Sequence, residues 1–346
     1  MQAIALVAVA LLTSGCMGTW GLRSSYRSYV TAPFAEGGIT TEEGVTWSDG
    51  PGTGKGPFQW PVDVATFDPT TEQGSVQFRG AVHTEAHPVT GGHALELSIW
   101  NPRLEIDGDA GTLHADLNYR PYAGTSPTTL PALQAAFDVP FATVDLSGAS
   151  WVADANGNYE IRNAPMVGIP AAMALIGWDT FYGDPVALDP LSVTFNPALA
   201  TAKLAETPRL VVSQTTGLHA GDTVSVWGTG FDPAAHTGTR PPLSGQPSGV
   251  YVVFGKFAET WKPSAGAPSS ARTVIAQKWA LPAASRQILD PTGTGAAYVT
   301  IDQYGRFEAT LTVGESAAAG NYGVYTYAGS GAVDAAQELA VPIALG

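Results

Sequence analysis

The segment WGLRSSYRSYV, residues 20–30, sets two tyrosines, two arginines and three serines side by side. Only 13% of the whole chain is charged. A phenol can ligate a metal ion once its proton has left, and hydroxyl and guanidinium groups can hold an anion. The spacing predicts a helix over 20–30. Leu22, Tyr26, Tyr29 and Val30 fall at i, i+4, i+7 and i+8, and Ser25 sits beside that stripe one turn before Tyr29. Arg23 and Arg27 occupy the neighbouring face, and Pro33 ends the pattern. On spacing alone such tyrosines read as core residues of an amphipathic helix, and the arginines as solvated charges.

Other chemistry-bearing residues are sparser. His83, His87 and His93 cluster in VHTEAHPVTGGHAL with Glu85 between them. No cysteine lies nearby and no HExxH register is present, so the cluster reads as loop histidines before it reads as zinc ligands. GPGTGKG at 50–56 has only three residues between Gly50 and Gly54 and places Gly56 where a phosphate loop needs Ser or Thr. No G-x-S-x-G occurs, which leaves a nucleophile elbow without support. A net charge of −14 sets the average surface against nucleic-acid phosphates.

The elements that must position these residues are strands. Forty glycines and 26 prolines among many Val, Thr, Tyr and Trp indicate a mainly-β chain of two domains. Val76, Phe78, Gly80 and Val82 alternate with Gln77, Arg79 and Ala81. The same period of two runs through Leu95, Leu97 and Ile99 and again through Leu113, Ala115, Leu117 and Tyr119. These half-buried strands are expected to follow one another as an antiparallel meander. Further strands are expected at 143–153, 158–163 and 190–195, with a short helix near 169–177. NPALATAKLAETP at 196–208 reads as a boundary. Beyond it, RLVVSQTTGLHAGDTVSVWGTGF, GVYVVFGKF, AYVTIDQYGRFEATLTV and GNYGVYTYAG suggest a β-sandwich of immunoglobulin type over 208–346.

MQAIALVAVALLTSGC is an apolar run ending in small residues, as a secretory signal does, although it lacks the usual basic start. Cys16 is the chain's single cysteine and stands where a lipobox carries its lipidated residue, with Thr13 departing from the strictest pattern. The expectation is an exported protein without a disulfide, lipid-anchored through Cys16 at the cell surface.

Several of these pieces recur together in one known module. WGLRSSYRSYV, FQWPV, GSVQFRGAVHTEAH leading to ALELSIWNPRLEIDG, then GTLHADL and FYGDPVALDPLSVTF resemble, in order and spacing, an HtaA-type haem-binding domain over residues 18–197. Such domains belong to actinobacterial cell-surface haem-uptake proteins. The resemblance implies an antiparallel sheet domain with short helices and ferric haem as cofactor. It implies Tyr29 as the axial ligand to the iron and Ser25 at a haem propionate. A histidine hydrogen-bonded to the ligand phenol is implied as well; His87 matches best, but PVT is inserted before the GG that normally follows closely, which keeps His93 as an alternative. Phe181 and Tyr182 would pack on the porphyrin. Tyrosinate is an established haem ligand, and a histidine behind it would support the oxyanion.

The function expected on this basis is haem capture and relay for iron acquisition, without catalysis. Its partners would be haem, other haem-uptake proteins or a membrane transporter, and the membrane through the lipid anchor. A surface structural or adhesion protein lacking any cofactor is the alternative, and a zinc hydrolase built on the histidines a distant third.

Overall fold

The computed structural model describes residues 16–47, 56–200 and 206–346. The apolar leader, most of the glycine-rich GPGTGKG segment and part of the 196–208 boundary lie outside them. The chain divides into two compact units. The first comprises 1–88, 94–117 and 138–203; the second comprises 89–93, 118–137 and 204–346.

The first unit begins with β1 (Met17–Trp20), followed by α1 (Ser24–Val30) and a 3-10 turn at Pro33–Ala35. Strands β2 (Gly38–Glu42), β3 (Thr46–Trp47), β4 (Phe58–Asp68), β5 (Gln73–Phe78), β6 (Ala81–Val89), β7 (Gly92–Asp107), β8 (Ala110–Tyr119), β9 (Gln134–Asp145) and β10 (Tyr159–Gly168) come next. Helices α2 (Pro170–Leu175) and α3 (Trp178–Tyr182) then lead into β11 (Ala187–Phe195). All eleven strands share one sheet, in the order β2-β6-β7-β5-β4-β1-β11-β10-β9-β8, with β3 paired to β4. A further pairing of β7 with β8 joins the last strand of the path to its third. Eight strands therefore close on themselves, and β6 and β2 extend outward from β7. Closure leaves few free edges, an advantage for a unit held by packing alone.

Period-two patterning gave the positions of β5, β7 and β8, but their connection is not a simple meander. β7 lies between β5 and β6 and also pairs with β8, its 16 residues serving three partners. Asn101, with φ at +43°, breaks the strand midway, and its side-chain oxygen accepts from the Gly80 amide at 3.0 Å. The expected strand at 143–153 ends at Asp145, where the Asp145 carboxylate takes the Ser147 amide and hydroxyl into a turn. The helix near 169–177 is present as α2, and α3 follows it after Gly177, whose φ of +72° reverses the chain.

The core of this unit is aromatic and aliphatic. Trp20 stacks on Trp60 with centroids 6.3 Å apart and meets Phe141 edge-on at 5.8 Å. Trp20 thus belongs to β1 and the core, not to the predicted helix. β1 is central, pairing with β4 on one side and β11 on the other.

The second unit contains β12 (Arg209–Val212), β13 (Thr223–Thr229), β14 (Val250–Phe257), β15 (Arg272–Pro282), α4 (Ala283–Leu289), β16 (Tyr298–Ile301), β17 (Phe307–Thr312), β18 (Asn321–Ala328) and β19 (Ala340–Pro342). A three-stranded sheet, β12-β13-β17, and a five-stranded sheet, β16-β15-β14-β18-β19, share one core that includes Val224, Val226, Phe307, Val252, Phe254 and Val324. β15 has no counterpart in the sequence-based expectation. It pairs parallel to β16, with α4 between them, an arrangement foreign to an all-antiparallel immunoglobulin sandwich. Among the described residues no helix is long and apolar enough to cross a membrane.

Candidate functional site

Helix α1 is seven residues long and carries no side-chain cap of its own. A helix this short is not stable by itself in water, so its place is set by what it docks against. Tyr26, Arg27 and Val30 are buried, whereas Ser24, Ser25 and Ser28 face solvent and Tyr29 is half-buried. The predicted apolar stripe is present, with one addition: Arg27, expected as a solvated charge, is only 2% exposed. Its Nη1 donates to the Gly21 carbonyl and to the Asp189 carboxylate of β11, and its guanidinium lies 5.9 Å from the Phe58 ring centroid. The aspartate supplies the countercharge that makes the burial tolerable.

The two tyrosines of α1 divide between structure and surface. The Tyr26 hydroxyl shares a 2.6 Å hydrogen bond with the Thr84 hydroxyl on β6, and its ring packs 4.7 Å from Trp178 of α3. Three residues further along both elements, the Tyr29 hydroxyl meets Nε2 of His87 at 2.6 Å. Two phenols spaced i, i+3 on the helix thus engage residues 84 and 87 of one strand. His87 has φ at +57°, so it leaves the regular strand geometry at the very residue that faces Tyr29. Contact between α1 and β6 is close enough to require glycine at 37. A Cβ there would come within 2.2 Å of the Glu85 carbonyl oxygen and 2.6 Å of the Val30 carbonyl oxygen.

Tyr29 has an exposed aromatic neighbour. Phe34, in the 3-10 turn, meets its ring edge-on at 5.5 Å and is 68% exposed. Phe181 on α3 is 53% exposed. Next to it, Tyr182 lies under the Arg23 guanidinium, 4.2 Å from the ring centroid, and Arg23 Nε donates to the Ser25 hydroxyl at 2.9 Å. Ser25, Arg23 and Tyr182 therefore form one polar cluster. Ser25 and Tyr29, four apart on α1, fall on the same side of the helix. The structure thus brings Tyr29 to His87 and Ser25 to Tyr182. His93 stands at the start of β7 among residues assigned to the second unit. Cys16 is a free, buried thiol immediately before β1. Among the described residues no group of three or more His, Cys, Asp or Glu is arranged to hold a metal ion.

Phe34 and Asp189 are site components that sequence reasoning missed. An aromatic directly after Pro33 and a carboxylate inside LDPLS were visible, but nothing local linked either to α1.

Burial drives the Tyr26 phenol well above the ordinary tyrosine value, and the Thr84 hydrogen bond offsets this only in part. Tyr182 is raised for the same reason, against the opposing effects of its hydrogen bond to Ser25 and the nearby Arg23 charge. In the unfolded chain both phenols ionise near pH 10. Above that pH the unfolded state has lost protons that the folded state keeps, so stability falls as pH rises. We expect the melting temperature of the first unit's transition in the full chain to be insensitive to these groups below about pH 10 and to drop beyond it. Tyr26→Phe should flatten the drop, which pH-dependent calorimetry measures.

No curated protein matches the chain. Three crystal structures from Corynebacterium glutamicum are similar over about half of it. The heme-binding protein HtaB is 23% identical, covering 51% of this chain and 90% of that one with a TM-score of 0.42. The N-terminal domain of HtaA is 25% identical, with coverage of 52% and 97% and a TM-score of 0.43. The HtaA C-terminal domain is 21% identical, with coverage of 52% and 94% and a TM-score of 0.40. The family model described as Htaa matches residues 15–194, from just before β1 to the end of β11 and over more than half of the sequence, so the chain belongs to the HtaA family.

Proposed function

We propose that this protein binds ferric haem through the Tyr29 phenolate and passes it on in iron acquisition, as an exported binding protein and not as an enzyme. The observation that carries the reading is the 2.6 Å contact between the Tyr29 hydroxyl and His87 Nε2 on a partly exposed face. Family membership and the heme-binding HtaB among similar structures favour the same ligand.

The residues present fit such a group. A phenol oxygen is a hard, potentially anionic donor, suited to ferric iron. Phe34 and Phe181 are both more than half exposed and offer apolar surface of the kind on which a flat hydrophobic ligand docks. Ser25 and Arg23 supply a hydroxyl and a positive charge for carboxylates at the ligand's edge. The haem itself would supply the iron to which the phenolate binds.

What the chain must do is manage one proton. In the free protein the Tyr29 hydroxyl can donate to an unprotonated His87 Nε2. For Tyr29 to act as an anion, that proton moves to Nε2, and His87 then donates back to the phenolate oxygen. One short contact serves both states, and the imidazole orients the ring in each. A single protein ligand of this kind leaves the cargo exchangeable, which suits transfer. Of the two histidines that the sequence left open, His87 takes this role in our reading. Export, with lipid attachment at Cys16, is supported by the apolar leader. The second unit carries no ligand-binding role in this reading.

Calorimetry with ferric haem tests the proposal. A ligand specific to the folded state raises stability by about 2.7 kcal/mol at a hundredfold excess over its dissociation constant. The first unit's melting temperature should therefore rise with haem concentration. A cofactor-free structural or adhesion protein would show no such rise.

A further inference from the structure

We infer that Asp189 is a positioning residue for the Tyr29–His87 pair, acting as the anchor that α1 does not supply from its own sequence; the link to haem rests on the reading above. Helix α1 has Arg23 at its N-cap without a capping hydrogen bond, and no acidic residue in its first turn. Asp189 fills both absences from a strand 165 residues further along the chain. Its Oδ1 accepts from the Ser24 amide at 2.9 Å, in the first turn, while Oδ2 accepts from Arg27 in the next. Its own amide donates to the Leu22 carbonyl at 2.8 Å.

These three bonds hold the entry, the start and the middle of α1. Leu22 holds φ at +64°, a conformation costly for a branched side chain, directly before the helix begins. The chain turns there from β1 into α1, and the Asp189 amide holds the turn. Arg27 in turn ties the middle of α1 back to Gly21, where a Cβ would come within 2.2 Å of Nη1 and 2.7 Å of Asp189 Oδ2. A side chain at 21 would push the guanidinium and the carboxylate aside, so glycine there lets the guanidinium sit directly against the backbone. Tyr29 is two residues beyond Arg27. Rotation or tilt of a seven-residue helix about this anchor displaces the Tyr29 oxygen relative to His87, which belongs to a different strand. Metal-binding side chains depend on such outlying supports for orientation.

Asp189→Asn removes the acceptor facing Arg27 while retaining one for Ser24. Asp189→Glu keeps the charge but moves the oxygens by one methylene, and serves if the first variant folds poorly. Val76→Ala, a fully buried position in β5, is the control for general loss of stability. Two readouts apply to the full chain. In the free protein, nitrogen NMR of the His87 imidazole reports its hydrogen bond to Tyr29. Both Asp189 variants should shift that signal and Val76→Ala should not. With ferric haem bound, Asp189→Asn should speed haem loss to a scavenger by about 10-fold or more, with Val76→Ala near wild type. Unchanged His87 signals in both Asp189 variants, or equal shifts in the Val76→Ala control, would overturn the inference. Failure of the wild-type protein to take up haem would instead overturn the functional reading, and the imidazole comparison would still decide the role of Asp189.

Discussion

Tyr29→Phe is expected to abolish the ligand-to-metal band of the ferric haem complex and to weaken binding by more than the about 10–100-fold that losing a supporting partner costs. The substitution keeps the ring, and with it the edge-on contact to Phe34 at 5.5 Å. Only the oxygen goes. Because Tyr29 is half-exposed, the free protein should lose little stability, about 1 kcal/mol for one hydrogen bond. Tyr26→Phe should behave in the opposite way. Its hydroxyl bonds Thr84 inside the core, so removing it costs one buried hydrogen bond, with Thr84 keeping its own donation to the Leu97 carbonyl at 3.0 Å, while sparing the haem spectrum. Spectral titration of the two variants side by side separates the ligand from the core tyrosine.

Arg27→Ala should cost the first unit about 3–5 kcal/mol of unfolding free energy, since it strips the partner from a carboxylate in a largely dry setting and opens a void beside Phe58. Arg27→Met combined with Asp189→Leu should recover part of that loss, because two apolar groups leave no charge stranded. The coupling between the two positions, obtained from denaturant melts of the single and double variants, should be well above the few tenths of a kcal/mol seen for independent sites. Additive effects would mean that the pair is an incidental surface contact.

Sequence reasoning reached different depths at different places. Period-two alternation located β5, β7 and β8 because each strand buries one face, and that signal is local. The helix at 24–30 was legible from its stripe, but its start was not. Trp20 fits a helical period as well as a strand, and only its pairing with Phe58 of β4 decides for the strand. Arg27 looked like a solvated charge because its countercharge is 162 positions away. The path of β7 between β5 and β6 depends on a break at Asn101, which a left-handed asparagine permits but does not announce. β15, RTVIAQKWALP, mixes charges and alanines with its apolar residues and so lacks a clean period. For the site, family resemblance supplied Tyr29, Ser25, His87, Phe181 and Tyr182. Spacing alone gave only the nearness of Ser25 to Tyr29. Phe34 and Asp189 became visible once the fold had placed the 3-10 turn and β11 against α1.

The central claim, a tyrosinate at residue 29 bound to ferric iron, is tested most directly by resonance Raman spectroscopy of the haem-loaded wild-type protein, excited in its phenolate-to-iron band. The account predicts tyrosine ring modes that move when the tyrosines are ring-deuterated and vanish in Tyr29→Phe. A spectrum free of phenolate modes, or one in which they survive in Tyr29→Phe, would contradict it.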